Sequence, residues 1–182
     1  MKRNFSLLFI LIVLLLQTGC LYAVRYDGIY RGKIVDADSR EPIEGAVVLG
    51  IWHTVELTPG GGVSYYYDAR ETLTDKSGEF SIPGQGLRIM SSLEPMSAVI
   101  FKAGYAYYGT GVWTTIKEGL YSREQVKWEG DIPIFPLKKL TLEERIKRGE
   151  PDYPSQAPKK KIRLMLEEIN KDRMEQGLGP VN

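Results

Sequence analysis

Glu41-Pro42-Ile43-Glu44-Gly45-Ala46-Val47-Val48-Leu49-Gly50-Ile51-Trp52 opens on a proline turn and closes as an apolar, β-branched run. Pro42 presets its own φ for a turn, and Gly45 accepts a backbone geometry that a β-carbon would hinder. Residues 46–52 have strand length and composition, with Val47, Leu49 and Ile51 on one face, which predicts a strand sending those three side chains into the core.

Outward from this run the same texture continues. Residues 29–35 read as a preceding strand, joined to it through the Asx-rich turn Asp36-Ala37-Asp38-Ser39-Arg40. On the other side, Thr58-Pro59-Gly60-Gly61-Gly62 reads as a flexible excursion, followed by extended chain at Tyr65-Tyr66-Tyr67 and at 71–74. Asp75-Lys76-Ser77-Gly78 reads as a tight turn that returns residues 79–82 antiparallel, with Phe80 inward. Further strands are predicted at 97–102, 105–116 and 132–137. About seven strands, with no helical periodicity before residue 138, predict an all-β fold: an antiparallel β-sandwich over residues 28–137.

After that point the pattern changes. Thr141 with Glu144 three residues on is a capping-box signature, and a longer helix is predicted from about 159 to 176. Ile162, Met165, Leu166 and Ile169 share one face of it, which predicts docking on the parent domain. Residues 138–182 therefore read as a short, charged α-helical extension, and the Lys159-Lys160-Lys161 cluster, followed by Glu167, Glu168, Asp172 and Glu175, as part of a solvated mixed-charge helix.

The first residues are an address. Lys2 and Arg3 precede an apolar run from Leu7 to Leu16, which is closed by Gln17-Thr18-Gly19-Cys20. The run is shorter than the roughly 20 residues of a spanning helix. Its order of cationic start, short apolar stretch and Gly-Cys resembles the lipobox of bacterial lipoproteins, although Gln17 stands where that family carries an aliphatic residue. The resemblance implies a signal peptide over 1–19, acylation of Cys20, and a short tether over 20–27 that keeps the domain close to the membrane. Leu21 is not a retention Asp, which by the same resemblance favours the outer membrane over the inner.

Four segments in order resemble the carboxypeptidase regulatory-like domain: Tyr30-Arg31-Gly32-Lys33-Ile34-Val35-Asp36, the Glu41–Val48 block quoted above, Thr74-Asp75-Lys76-Ser77-Gly78-Glu79-Phe80, and Lys102-Ala103-Gly104-Tyr105. The resemblance covers roughly residues 28–108 and implies a transthyretin-like sandwich, usually a noncatalytic appendage.

Composition narrows the chemistry. With 24 cations against 23 anions the chain has a net charge of +1 and no electrostatic case for binding nucleic acid. One Cys and one His cannot build a structural zinc cage. His53-Thr54-Val55-Glu56 matches an H-x-x-E zinc motif, but no second His exists to complete it, so no metal, cofactor or catalytic set is assigned. Asp36 with Asp38, and Asp75 with Ser77, are read as turn chemistry and not as calcium ligands. Trp113, Tyr65, Tyr66 and Tyr67 are the candidate contacts with a ligand or partner, because exposed aromatics offer large apolar area and a polar tip at low entropic cost. The expectation is a noncatalytic, lipid-anchored cell-envelope protein, held to the membrane through Cys20, whose sandwich binds another envelope protein or a glycan. Two alternatives stand beside it: an accessory structural subunit docking through its helical tail, and an atypical metal-dependent hydrolase using His53 and Glu56.

Overall fold

The computed structural model describes residues 24–112 and 126–181. Cys20, Trp113 and the end of the predicted 105–116 strand lie outside the described residues. The chain divides into two compact units. Among the described residues the smaller comprises 24–28 and 85–91, where β1 (Val24–Asp27) and β6 (Gly86–Ile89) form a two-stranded antiparallel ribbon.

The larger unit holds two four-stranded sheets. One has the order β5 (Glu79–Ile82), β2 (Tyr30–Asp36), β10 (Ile132–Leu137), β9 (Lys127–Glu129). The other has the order β4 (Gly61–Leu73), β3 (Val47–Thr58), β7 (Ser97–Phe101), β8 (Tyr108–Val112). Their inner faces share one core, in which Ile34, Phe80 and Phe135 of the first sheet belong with Val48, Trp52 and Ile100 of the second. Tyr30 meets Trp52 edge-on with ring centroids 6.1 Å apart, and its hydroxyl accepts the Met96 N–H at 3.1 Å. Gly32 lies where Phe80 and Phe135 converge, and a β-carbon there would fall 2.6 Å from the Phe80 ring. The chain is thus mostly β, and its two sheets pack as a sandwich.

Three differences from the sequence expectation have physical causes. The pairing is not wholly antiparallel, because β10 runs parallel to β2 with Ile134 opposite Lys33. A parallel neighbour needs a long crossover, which the chain between β2 and β10 supplies. Strands β1, β6 and β9 exceed the seven expected; they are three or four residues long and largely exposed, too short for a pattern of alternation to stand out from a loop. The Thr58–Gly62 segment is not an excursion. Thr58 pairs with Gly61 across a two-residue Pro59-Gly60 turn, and the Thr58 hydroxyl donates to the Gly61 carbonyl at 2.7 Å.

The fourth difference concerns the central strand. Val47, Leu49 and Ile51 do not enter the core between the sheets. They cover the opposite face of β3 and pack with Phe101, Ile162, Met165 and Ile169. Ala46, Val48 and Trp52 occupy the interior. An alternating strand permits both assignments, and the choice follows from which face the helical tail covers.

That tail contains α1 (Leu142–Arg148), a 3₁₀ turn (Lys159–Lys161) and α2 (Arg163–Glu175). The capping box is present, with the Glu144 N–H donating to Thr141 Oγ1 and the Thr141 N–H to Glu144 Oε2. Met165 and Ile169 are fully buried, so α2 forms a third layer over β3.

Removing this layer would expose Val47, Leu49 and Phe101, whose burial contributes roughly 1.5–3 kcal/mol per side chain. A chain ending at Leu137 should therefore bind hydrophobic dye, self-associate and melt well below the full chain, measured by dye fluorescence, gel filtration and calorimetry. A monomeric, unshifted truncation would contradict the three-layer packing.

Candidate functional site

The longest strand pairing among the described residues is the β3–β4 hairpin. It is paired from Val47↔Leu73 to Thr58↔Gly61, with a register shift after Trp52 that leaves Tyr67 as the extra residue of β4. Near its base β3 is supported on its other edge: β7 pairs with Val47–Ile51, and the Val55 N–H donates to the Ser92 carbonyl while the Glu94 N–H donates to that of His53. From Glu56 to Tyr65 every residue is exposed, so the distal hairpin is an arm outside both apolar clusters.

The three consecutive tyrosines separate. Tyr66 opposes His53, on the side where α2 lies, and packs against the cluster of Val47, Leu49 and Met165. Its hydroxyl is buried without a hydrogen-bond partner among the described residues, and burial pushes its pKa up. Tyr65 opposes Thr54 and is 48% exposed, while Tyr67, at the bulge, is 46% exposed. Successive residues of a strand face opposite sides, which is why neighbours 65 and 67 are both presented while 66 is covered. Leu57 is 90% exposed and Val63 40% exposed on the same arm, and neither was singled out by sequence reasoning. The signal for both was their place near a Pro-Gly turn, which makes them the rim of a hairpin tip.

The arm is clamped at its root by the helical tail. Lys161 forms an ion pair with Asp68. Glu71 caps α2 from the neighbouring strand, accepting the Leu164 N–H at 3.0 Å and the Met165 N–H at 2.7 Å. Ile162, at the N-cap position, makes no side-chain cap, so a carboxylate from β4 satisfies the free amides at the positive helix end. On the other side, Asp172 accepts from Arg145 at 2.6 Å, Gln176 at 2.6 Å and the Gly104 N–H at 2.9 Å, tying α1, α2 and the turn after β7 together. This ion pair holds Arg145 above its ordinary pKa.

The H-x-x-E pair does not converge. Residues three apart in a strand face opposite sides, so His53 turns towards the α2 face and Glu56 lies on the other side of the arm. No group of His, Cys, Asp and Glu side chains suited to a metal ion occurs among the described residues. His53 instead helps to line a cleft of about 380 Å³ with Ile51, Val99, Asp152, Tyr153 and Gln156. The turn aspartates serve their own turns: Asp36 accepts the N–H groups of Ser39 and Asp38, and Asp75 the Ser77 hydroxyl together with the N–H groups of Glu79 and Ser77. These hydrogen bonds hold both carboxyls below the ordinary range.

No protein-family model matches the chain, and no curated protein matches it. Among solved structures it is similar to a streptococcal ancillary pilin, at 12% identity and a TM-score of 0.32 over 63% of this chain. The match spans 30% of that pilin, and a likeness of this degree carries no argument about fold or function.

Burial raises the Glu71 carboxyl above its ordinary value of 4.5, and the two N–H donors from α2 offset this only partly. A raised carboxyl holds its proton more tightly in the folded state, so its contribution to stability is complete below the ordinary value and is lost as pH rises through the raised one. The unfolding free energy of the wild type minus that of Glu71→Gln should fall as pH rises above 4.5, followed by denaturant titration from acid to neutral pH. A difference that is flat with pH would show that Glu71 is not strained by burial.

Proposed function

We propose that this chain is a noncatalytic, lipid-anchored protein of the bacterial cell envelope that binds another envelope protein or a glycan through the β3–β4 arm. The observation that carries the reading is the arm itself: Leu57, Val63, Tyr65 and Tyr67 are displayed on a hairpin whose root is fixed by two sheets and a helix. Aromatic groups on a rigid support supply contact area with little entropy to lose, which suits stacking on sugar rings or anchoring a protein interface. The sandwich is read as transthyretin-like, of the carboxypeptidase regulatory-like type, with the Asp75–Gly78 turn supporting that reading. Ser77 and Glu79 converge on Asp75 there, and Gly78 sits at φ +75°, its would-be β-carbon blocked by the Ile34 carbonyl. Anchoring rests on Cys20 and the lipobox-like residues before it, with the outer membrane favoured. Among the described residues no helix is long and apolar enough to cross a membrane.

A second reading has one observation in its favour. The apolar stripe of α2 is spent on the chain's own sheet, but α1 buries no residue, and its Leu142 and Ile146, one turn apart, are both exposed. An accessory subunit would dock through α1.

A photo-crosslinker at position 65 should capture a partner that one at position 76 does not. Tyr65→Ala with Tyr67→Ala should weaken association by on the order of 10- to 100-fold, which is about 1.4–2.8 kcal/mol for the pair. The thermal midpoint should barely move, because both side chains are half exposed. Capture unchanged by the pair but abolished by Leu142→Ser with Ile146→Ser would transfer recognition to α1. In parallel, Cys20→Ser should move the protein from the membrane pellet to the soluble fraction; a variant that stays in the pellet would refute anchoring by Cys20.

A further inference from the structure

The small ribbon carries an apolar face that no other described residue of its own unit covers. Val24 pairs with Ile89 and Tyr26 with Leu87, and directly opposed residues project to the same side. All four are exposed, at 59%, 65%, 74% and 61%. Arg25 pairs with Arg88 on the other side, where Asp27 is buried and accepts the Gln85 N–H at 2.7 Å to close the ribbon's end. Met90 follows immediately, 84% exposed and held at φ +46°, a region that residues other than glycine seldom adopt. The ribbon is therefore two-faced, with charged and hydrogen-bonding groups on one side and five apolar or amphipathic side chains on or beside the other. Two strands with this much apolar surface in water gain nothing from displaying it.

Position along the chain identifies the occupant. Residues 21–23 alone separate Cys20 from the first ribbon residue, Val24. At roughly 3.3–3.6 Å per residue, that segment spans at most about 14 Å when fully extended. An acylated Cys20 sits in the headgroup region, so its tether confines the ribbon to within that distance of the lipid surface.

We infer that the β1–β6 ribbon lies on the membrane, with Val24, Tyr26, Leu87, Ile89 and Met90 immersed at the boundary between headgroups and acyl chains. The inference rests on the anchoring reading above and adds a second point of attachment to it. Tyr26 suits that depth because its ring is apolar and its hydroxyl polar, the composition of interfacial aromatic belts. Arg25 and Arg88, on the other face, remain in the hydrated layer. One lipidated residue alone leaves the ribbon free to swivel; lipid contact a few residues away fixes which of the ribbon's two faces meets the membrane.

The test uses full-length protein in native membranes, with nitroxide labels on Leu87→Cys and Ile89→Cys, a label on Lys76→Cys as the aqueous reference, and the unsubstituted chain to report any label on Cys20. Mass spectrometry of the mature N-terminus records acylation separately. The expected result is high collision with oxygen and low collision with a water-soluble nickel complex at 87 and 89, with the opposite at 76. Nickel access at 87 and 89 in an acylated protein would overturn the inference and leave the anchor standing. Exclusion of both reagents would overturn it equally, since it would mean that a second copy or another protein covers the face. Absence of acylation with release from the membrane would remove the anchoring reading and this inference with it.

Discussion

Everything in the larger unit depends on β3 being buried on both faces. Its first six residues, Val47 to Trp52, are all buried, and alternate side chains serve two different apolar clusters. A strand at the surface of a sandwich can be polar on its outer side; this one is not, so the fold requires a cover for Val47, Leu49 and Ile51. Helix α2 is that cover. The C-terminal segment is consequently a layer of the fold and not an appendage to it, and the sandwich interior is correspondingly economical: Gly50 on the inner face leaves its space to the Met96 side chain.

Covering a strand with a helix brings polar termini and charged residues against a sheet, and the molecule meets that cost with matched partners. Two carboxylates at the contact between sheet and helix, Asp172 and the half-buried Glu71, are handled differently. Asp172 has a guanidinium, an amide side chain and a backbone N–H, so its charge is paired where it is desolvated. Glu71 has two neutral backbone donors, each worth on the order of 1 kcal/mol net, against a desolvation penalty of several kcal/mol for an ion. Burial therefore dominates, and the carboxyl shifts upward. Arg145, sharing Asp172 and Glu175, shifts upward because its charged form gains more from two carboxylates than burial takes away.

Much of this architecture was legible in the sequence. The strands at 79–82 and 132–137, the capping box at Thr141 and the stripe of Ile162, Met165 and Ile169 are local patterns, and local patterns survive in one dimension. What was not legible needed the third. Nothing local says which face of β3 looks inward, because both faces are apolar. Glu71 reads as a surface residue of an edge strand until a helix that begins more than 90 residues later sets its amides on it. The bulge that makes Tyr67 the extra residue of β4 is visible only in the register with β3. The ribbon escaped for another reason: its apolar residues face outward, and a pattern that implies burial elsewhere implies exposure here.

The distal hairpin sharpens the distinction between residues that maintain structure and residues held ready for contact. An isolated two-stranded hairpin is marginal in water, so the arm draws its order from its paired root and from cross-strand side-chain contacts along its length. Tyr65 opposite Thr54 is such a contact, an aromatic against a β-branched residue, so the strand alone accounts for part of what Tyr65 does there. Leu57 is opposite Gly62, which has no side chain to meet it, and is almost fully exposed. Its apolar area neither stabilises the hairpin nor enters either core, yet costs solvation at the tip of the chain's longest unsupported element. Of the arm's apolar residues, Leu57 is the one for which folding offers no account, and a surface that completes itself against another molecule is the arrangement in which that exposure ceases to be a cost.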